Sequence, residues 1–246
     1  AQKYVGLDNF IRIFSDAQFG RDIGHTLTYT GMALVGINVV GLAFALIVTS
    51  RWLYGRNAAR AMLFMPYLIG GLILGFIWKY IYNNALPDIA NSLGLTGLTG
   101  SMLTTPSSAM LAMVITDIWK SAGYVMIVYI TGLQAIPDEV MEAARVDGVG
   151  FWSNLFQVKL PLLMPAITIC LFMTLSASFK IYDLNLALTG GGPSKSTQML
   201  AMNIYNEIFA RSNFGYGQAK AFLFFIFIAV FTLAQVSVTR KREVVM

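Results

Sequence analysis

The chain has 246 residues, 57% of them hydrophobic and only 12% charged, with a net charge of +5. Soluble domains carry roughly 25% charged residues, so composition excludes an ordinary water-soluble globular fold. The bases flank apolar runs instead of forming a surface stripe, which excludes nucleic acid as a partner.

Five apolar runs reach the length of about 20 residues that a helix needs to cross a bilayer. They lie at Thr26 to Ser50, Ala61 to Ile81, Ser107 to Ile130, Met164 to Leu186 and Ala219 to Val238. The expected fold is therefore all-α, a polytopic integral membrane helical bundle with five spans in this chain. Before the first run, "AQKYVGLDNFIRIFSDAQFGRDIGH" has weak helical spacing. It reads as an amphipathic helix at the membrane boundary, with a soluble-facing helix as the alternative. No basic n-region and small-residue cleavage site precede the first run, so it is not read as a signal peptide.

Lys and Arg concentrate in cytoplasmic connections. Arg51, Arg56 and Arg60 in the first loop, and Arg240, Lys241 and Arg242 in the tail, place both on the inside; Tyr82 to Pro106 holds Asp88 and no base, which places it outside. Strict alternation then puts residues 131–163 in the cytoplasm, the "LTGGGPSKST" stretch outside, the C-terminus inside and the N-terminus outside. An exported N-terminus without signal or anchor leads to the expectation of a further span before Ala1, six in the full protein.

Within the runs, Pro66 is expected to kink its helix, and Gly71 and Gly75 form a GxxxG that permits close helix approach. Trp78, Tyr80 and Tyr82 suggest an interfacial aromatic belt. Asp117 and Lys120 sit three apart, a spacing suited to a structural ion pair, and Tyr124 one turn further could line a path. His25 stands alone, so no metal site is expected, and Cys170 lies in an apolar run as a buried, inert thiol. "LTGGGP" lacks the GK[ST] of a phosphate loop, so ATP binding by this chain is rejected. No His, Cys or paired-carboxylate constellation supports a membrane enzyme, and no internal repeat supports a secondary transporter.

The polar segment "IPDEVMEAARVDGVGFWSNLFQVKLPLLMP" separates two apolar runs. Pro137 suits a helix start, Asp138 and Glu139 suit its positive end, and Glu142, Ala143 and Ala144 favour helix, predicting a short helix from Pro137 to Val146 ended near Gly148 or Gly150. A second short helix runs from Phe151 or Ser153 to Lys159, after which Pro161 and Pro165 redirect the chain.

This segment carries a specific resemblance. Glu142, Ala143 and Ala144, Gly148 after three residues, and Val158, Lys159, Leu160 and Pro161 after nine more reproduce the spacing of the EAA loop of binding-protein-dependent ABC importer permeases. Val158 stands at the usual isoleucine and Val149 where alanine is frequent. With "GLDNF" at Gly6 to Phe10 and "SFKIYDLNLALTGGGPSKST" from Ser178, the chain resembles the sugar-permease branch, in particular the larger membrane subunit of maltose-type importers.

The resemblance implies one MetI-like type I ABC importer transmembrane domain over residues 1–246, with 131–163 as the cytoplasmic coupling loop. It implies Glu142, Ala143, Ala144, Arg145, Asp147, Gly148, Leu160 and Pro161 as the residues that engage a separate ATPase. It also implies a second permease subunit, an ABC ATPase dimer, an extracytoplasmic solute-binding protein and membrane lipid as partners. The location implied is the bacterial plasma (inner) membrane, with no cofactor in this chain and ATP and magnesium in the partner. Beside the path the resemblance places "SFKIYDLN", where Phe179, Tyr182 and Asn185 could meet a sugar. Lys180 and Asp183, three apart, are expected to pair along one helical face.

Overall fold

The computed structural model describes residues 5–50, 53–95 and 99–243, and Arg51 lies outside them. Among the described residues every regular element is helical: α1 Asp8–Phe14, α2 Ala17–Thr49, α3 Arg56–Leu68, α4 Gly71–Ser92, α5 Pro106–Gln134, α6 Asp138–Val146, α7 Phe151–Leu162, α8 Met164–Phe179, α9 Asp183–Leu188, α10 Leu200–Tyr205 and α11 Phe214–Arg240. Helices α2, α5 and α11 are long and apolar enough to cross a membrane, and the bent pairs α3 with α4 and α7 with α8 bring the number to as many as five. That agrees with the five apolar runs.

Proline chemistry explains both bends. Pro66 lacks an amide proton and its ring crowds the carbonyl four residues back; α3 tightens to a 3₁₀ turn over Met65–Leu68, Gly70 leaves helical geometry, and α4 departs at 96°. In the second pair Pro161 and Pro165 flank Leu163, where α7 stops and α8 departs at 74°. A π-helical turn over Asn154–Lys159 precedes Pro161, so the ladder widens where a donor is missing.

Two boundaries differ from expectation. Residues 17–25 are the first turns of α2 and not a surface helix, because Asp16 caps the helix start by accepting from the N–H groups of Gln18 and Phe19. The fourth apolar run does not continue to Leu186: α8 ends at Phe179, three residues are non-helical, and α9 begins at Asp183.

The chain divides into two compact units. The first comprises residues 1–33, 69–117 and 176–229. In it Gly75 of α4 faces Ala187 of α9 so closely that an added Cβ would lie 2.5 Å from the Ala187 Cβ, which supports the packing role expected of Gly75. Tyr82 is buried and hydrogen-bonds to Thr116 and the Ala112 carbonyl at 3.2 Å each, so it is a core residue and not part of an aromatic belt; Tyr80 is exposed. Asp117 accepts a 2.6 Å hydrogen bond from Tyr29 of α2, a partner on another helix that spacing within α5 did not suggest.

The second unit comprises residues 34–68, 118–175 and 230–246. Its helices pack through small residues: an added Cβ on Gly123 would overlap the Leu63 carbonyl, and one on Gly132 would lie 2.7 Å from Ala166. Asn38 accepts from Tyr129 at 2.8 Å and donates to the Leu34 carbonyl, satisfying a polar group inside the apolar helices. Cys170 is buried here, as expected.

Candidate functional site

Helix α6 has the geometry its sequence dictates. Pro137 occupies the N-cap, Asp138 and Glu139 fill the first turn, and Arg145 sits in the last turn, each charge matching the helix dipole. Gly148 adopts φ +67°, its N–H bonds to the Arg145 carbonyl at 3.1 Å, and the Val149 N–H reaches back to the Ala144 carbonyl at 3.1 Å. This is the Schellman closure, which needs a left-handed residue at Gly148. Glu142, Ala143, Arg145, Asp147 and Gly148 are exposed along this short projection, whereas Ala144 is buried within its own unit. The two alanines therefore differ: Ala143 presents a small side chain at the surface and Ala144 is buried. Leu160 and Pro161 are half-buried on α7.

The second candidate segment departs from expectation because of the break after Phe179. Lys180 and Asp183 are exposed and no ion pair joins them, since Tyr182 at φ −135° takes the backbone out of the helix and removes the shared face. Phe179 is buried edge-on against Phe227, centroids 5.3 Å apart. Asn185 is 0% exposed, donates to the Thr197 carbonyl at 2.8 Å and Thr189 Oγ1 at 3.0 Å, and accepts from the Met199 N–H at 3.4 Å. These bonds clamp residues 189–199, leaving Asn185 little capacity for a solute. Tyr182, half-buried, lies against Tyr205, which lies against Phe209, with centroid spacings of 5.0 and 4.8 Å. The Ser178 hydroxyl is buried without a hydrogen-bond partner. Tyr124 belongs to the second unit, where it stacks on Tyr67 at 4.6 Å and contacts the Met173 sulfur at 3.2 Å.

Comparison with known proteins decides the family. The profile of the binding-protein-dependent transport system inner membrane component matches residues 37–244. The chain belongs to this family. Over 99% of its length and 82% of the relative's, the chain is 42% identical to the probable starch degradation products transport system permease protein AmyD of Thermoanaerobacterium thermosulfurigenes. It is 34% identical to the multiple sugar-binding transport system permease protein MsmF of Streptococcus mutans, over 98% of this chain and 83% of that one. Among solved structures, a bacterial transporter importing the acidic polysaccharide alginate aligns with TM-score 0.85 at 22% identity, covering 98% and 85% of the two chains. The alginate transporter in complex with a pentasaccharide-bound periplasmic protein aligns at 0.78 with 26% identity, covering 96% and 82%.

The chain also holds a polar cluster that the sequence reading passed over. Lys220, on α11, is 0% exposed; its Nζ lies 2.9 Å from Asp16 Oδ2, 2.9 Å from Asn203 Oδ1 and 3.5 Å from Glu207 Oε2, beneath the Tyr216 ring at 4.4 Å. Asp22, also fully buried, accepts from Gln18, Gln198 and Asn203 at 2.6–2.8 Å. Burial pushes the Asp16 carboxyl up, but hydrogen bonds from Lys220, the Phe19 N–H and Tyr216 outweigh it and hold the group at about 2. Burial likewise opposes ionisation of Glu207, and Asn213, Lys220 and Arg211 overcome it, so this carboxyl also titrates below its ordinary value. The available signal was a lone lysine in an apolar run.

Proposed function

We propose that this chain is the membrane-spanning permease of an ATP-driven importer of a sugar or oligosaccharide, and that α6 is its joint with a separate ATPase. The observation that carries the coupling role is α6 itself: a capped helix that exposes Glu142 and Arg145 with the small Ala143 between them. A carboxylate and a guanidinium three apart present charges for pairing across an interface, while Ala143 lets a partner backbone come close. Sugar as solute rests on the printed names of the relatives, which include starch degradation products, multiple sugars and trehalose/maltose.

In this reading the chain hydrolyses no ATP; nucleotide and magnesium belong to the ATPase dimer. A second permease completes the path and an extracytoplasmic binding protein delivers the solute. Residues 131–163 form the coupling loop of one transmembrane domain, with the C-terminus cytoplasmic in a bacterial inner membrane. The bases of the first loop, Arg56 and Arg60, and of the tail, Arg240, Lys241 and Arg242, support that orientation. On the path side, exposed Lys180 and Asp183 and the half-buried Tyr182 ring offer the polar groups and aromatic face that a sugar requires.

Glu142→Lys and Gly148→Pro test the joint. In proteoliposomes carrying the whole importer, both variants should retain ATP hydrolysis while sugar uptake falls at least about tenfold, the cost of losing about 1.4 kcal/mol of coupling. Normal uptake by both would remove α6 from the mechanism.

A further inference from the structure

We infer that the outer face of α7 is a lipid-binding surface, seated at the boundary between headgroups and acyl chains. Phe151, Trp152 and Phe156 are 62%, 67% and 60% exposed. Their rings touch in sequence, with Phe151 edge-on to Trp152 at 5.2 Å and Trp152 stacked on Phe156 at 6.1 Å, so they form one continuous patch. Contiguous aromatic surface facing water is disfavoured and marks a place that something apolar covers.

Three observations select lipid as the cover. First, α7 is turned 74° from α8, the spanning arm of the same bent pair. Spanning helices tilt by about 20° on average, so an arm turned this far lies closer to the membrane plane than to its normal, as interfacial helices do. Second, Leu155 of α7 is buried while Phe151, Trp152 and Phe156 are exposed, so the aromatic side is the outward one. Third, α7 from Phe151 to Leu162 contains Lys159, three residues after Phe156, and no acidic residue. Cationic side chains beside Trp and Phe suit anionic headgroups, and a lysine stem can lie along apolar surface while its ammonium reaches the phosphates.

The neighbouring α6 shows the contrast. It carries Asp138, Glu139, Glu142 and Arg145, the charged chemistry of a protein partner, whereas the α7 patch offers rings and one indole N–H. The two short helices thus present different surfaces, and α7 anchors the base from which α6 projects. This inference needs α8 to span the membrane but does not need α6 to bind an ATPase.

Tryptophan quenching in the full chain tests it without any partner. Trp52, Trp78 and Trp119 are replaced by Phe, leaving Trp152 as the only indole, and the protein is reconstituted into phosphatidylcholine–phosphatidylglycerol bilayers. Lipid brominated at acyl carbons 6 and 7 should quench about half the emission or more, lipid brominated at 11 and 12 should quench less, and aqueous iodide should remove under about a tenth. Strong iodide quenching with none from brominated lipid would overturn the inference. If the triple-Phe background does not fold, Trp152→Cys bearing a nitroxide label gives the same decision: relaxation by dissolved oxygen supports lipid contact, and relaxation by an aqueous nickel chelate contradicts it.

Discussion

Replacing Lys220 by Met keeps the length and much of the volume of the side chain while deleting its charge. Asp16 would keep the hydroxyl of Tyr216 and the N–H groups of Gln18 and Phe19, and Glu207 would keep Arg211 and Asn213. Asn203 Oδ1 would lose its lysine donor. Removing one member of a buried ion pair costs about 3–5 kcal/mol because the remaining charge stays buried. The surviving partners of both carboxylates put Lys220→Met at the lower end, about 3 kcal/mol. On the scale of globular chains of this length that is a fall in Tm of about 6–12 °C, measurable by differential scanning fluorimetry in nanodiscs. Adding Asp16→Asn and Glu207→Gln to Lys220→Met removes the stranded negative charges and should recover more than half of the loss. The reasoning is refuted if Lys220→Met melts with the unsubstituted protein, or if the triple substitution is no more stable than the single one.

Four further outcomes follow from the same geometry. Asp16 ordinarily titrates at 3.8 and is held at about 2 when folded. A depressed carboxyl contributes stability that is fully present above about pH 4 and lost as the pH falls through about 2, here about 2 kcal/mol. Asp16→Asn should abolish that acid-induced loss in a comparison of melting at pH 5 and pH 2.5. Gly123→Ala would drive a Cβ into the Leu63 carbonyl, a backbone atom that cannot swing aside; destabilisation of about 3 kcal/mol is expected, and an unchanged melting curve would contradict the packing. Asn185→Ala leaves the Thr197 carbonyl and Met199 N–H without their side-chain partner, so amide exchange over residues 189–199 should rise about tenfold. Tyr182→Ala should alter the rate or selectivity of uptake while the ATPase stays bound; unaltered transport kinetics would take Tyr182 off the path.

Much of this architecture is legible from side-chain chemistry read locally. The bend at Pro66, the α6 helix between Pro137 and Gly148, and the turn enforced by Pro161 and Pro165 each follow from a residue with a restricted backbone. What escaped the sequence depended on distant partners. Hydropathy continues smoothly from Met164 to Leu186, yet the chain breaks at Lys180, where Asn185 finds Thr197 and Met199 downstream and folds α9 back as a separate helix. A spacing of three between Lys180 and Asp183 carries meaning only along an intact helix. Asp16, Asp22, Glu207 and Lys220 are scattered over more than two hundred positions, and only the fold brings Asp16 to Lys220. Tyr82 resembled a belt residue because its neighbours Trp78 and Tyr80 share its chemistry, but its hydroxyl is claimed by Thr116 on another helix.

The most direct measurement of the central claim is disulfide or bismaleimide cross-linking from Ala143→Cys, with Cys170→Ser as background, in the assembled importer within inverted membrane vesicles. A link to the ATPase subunit whose yield changes between nucleotide-free and ATP-bound states is the predicted result. Ala143→Cys that is modified by impermeant maleimide only from the opposite, extracytoplasmic face, or that gives no link in an importer still taking up sugar, would contradict the account.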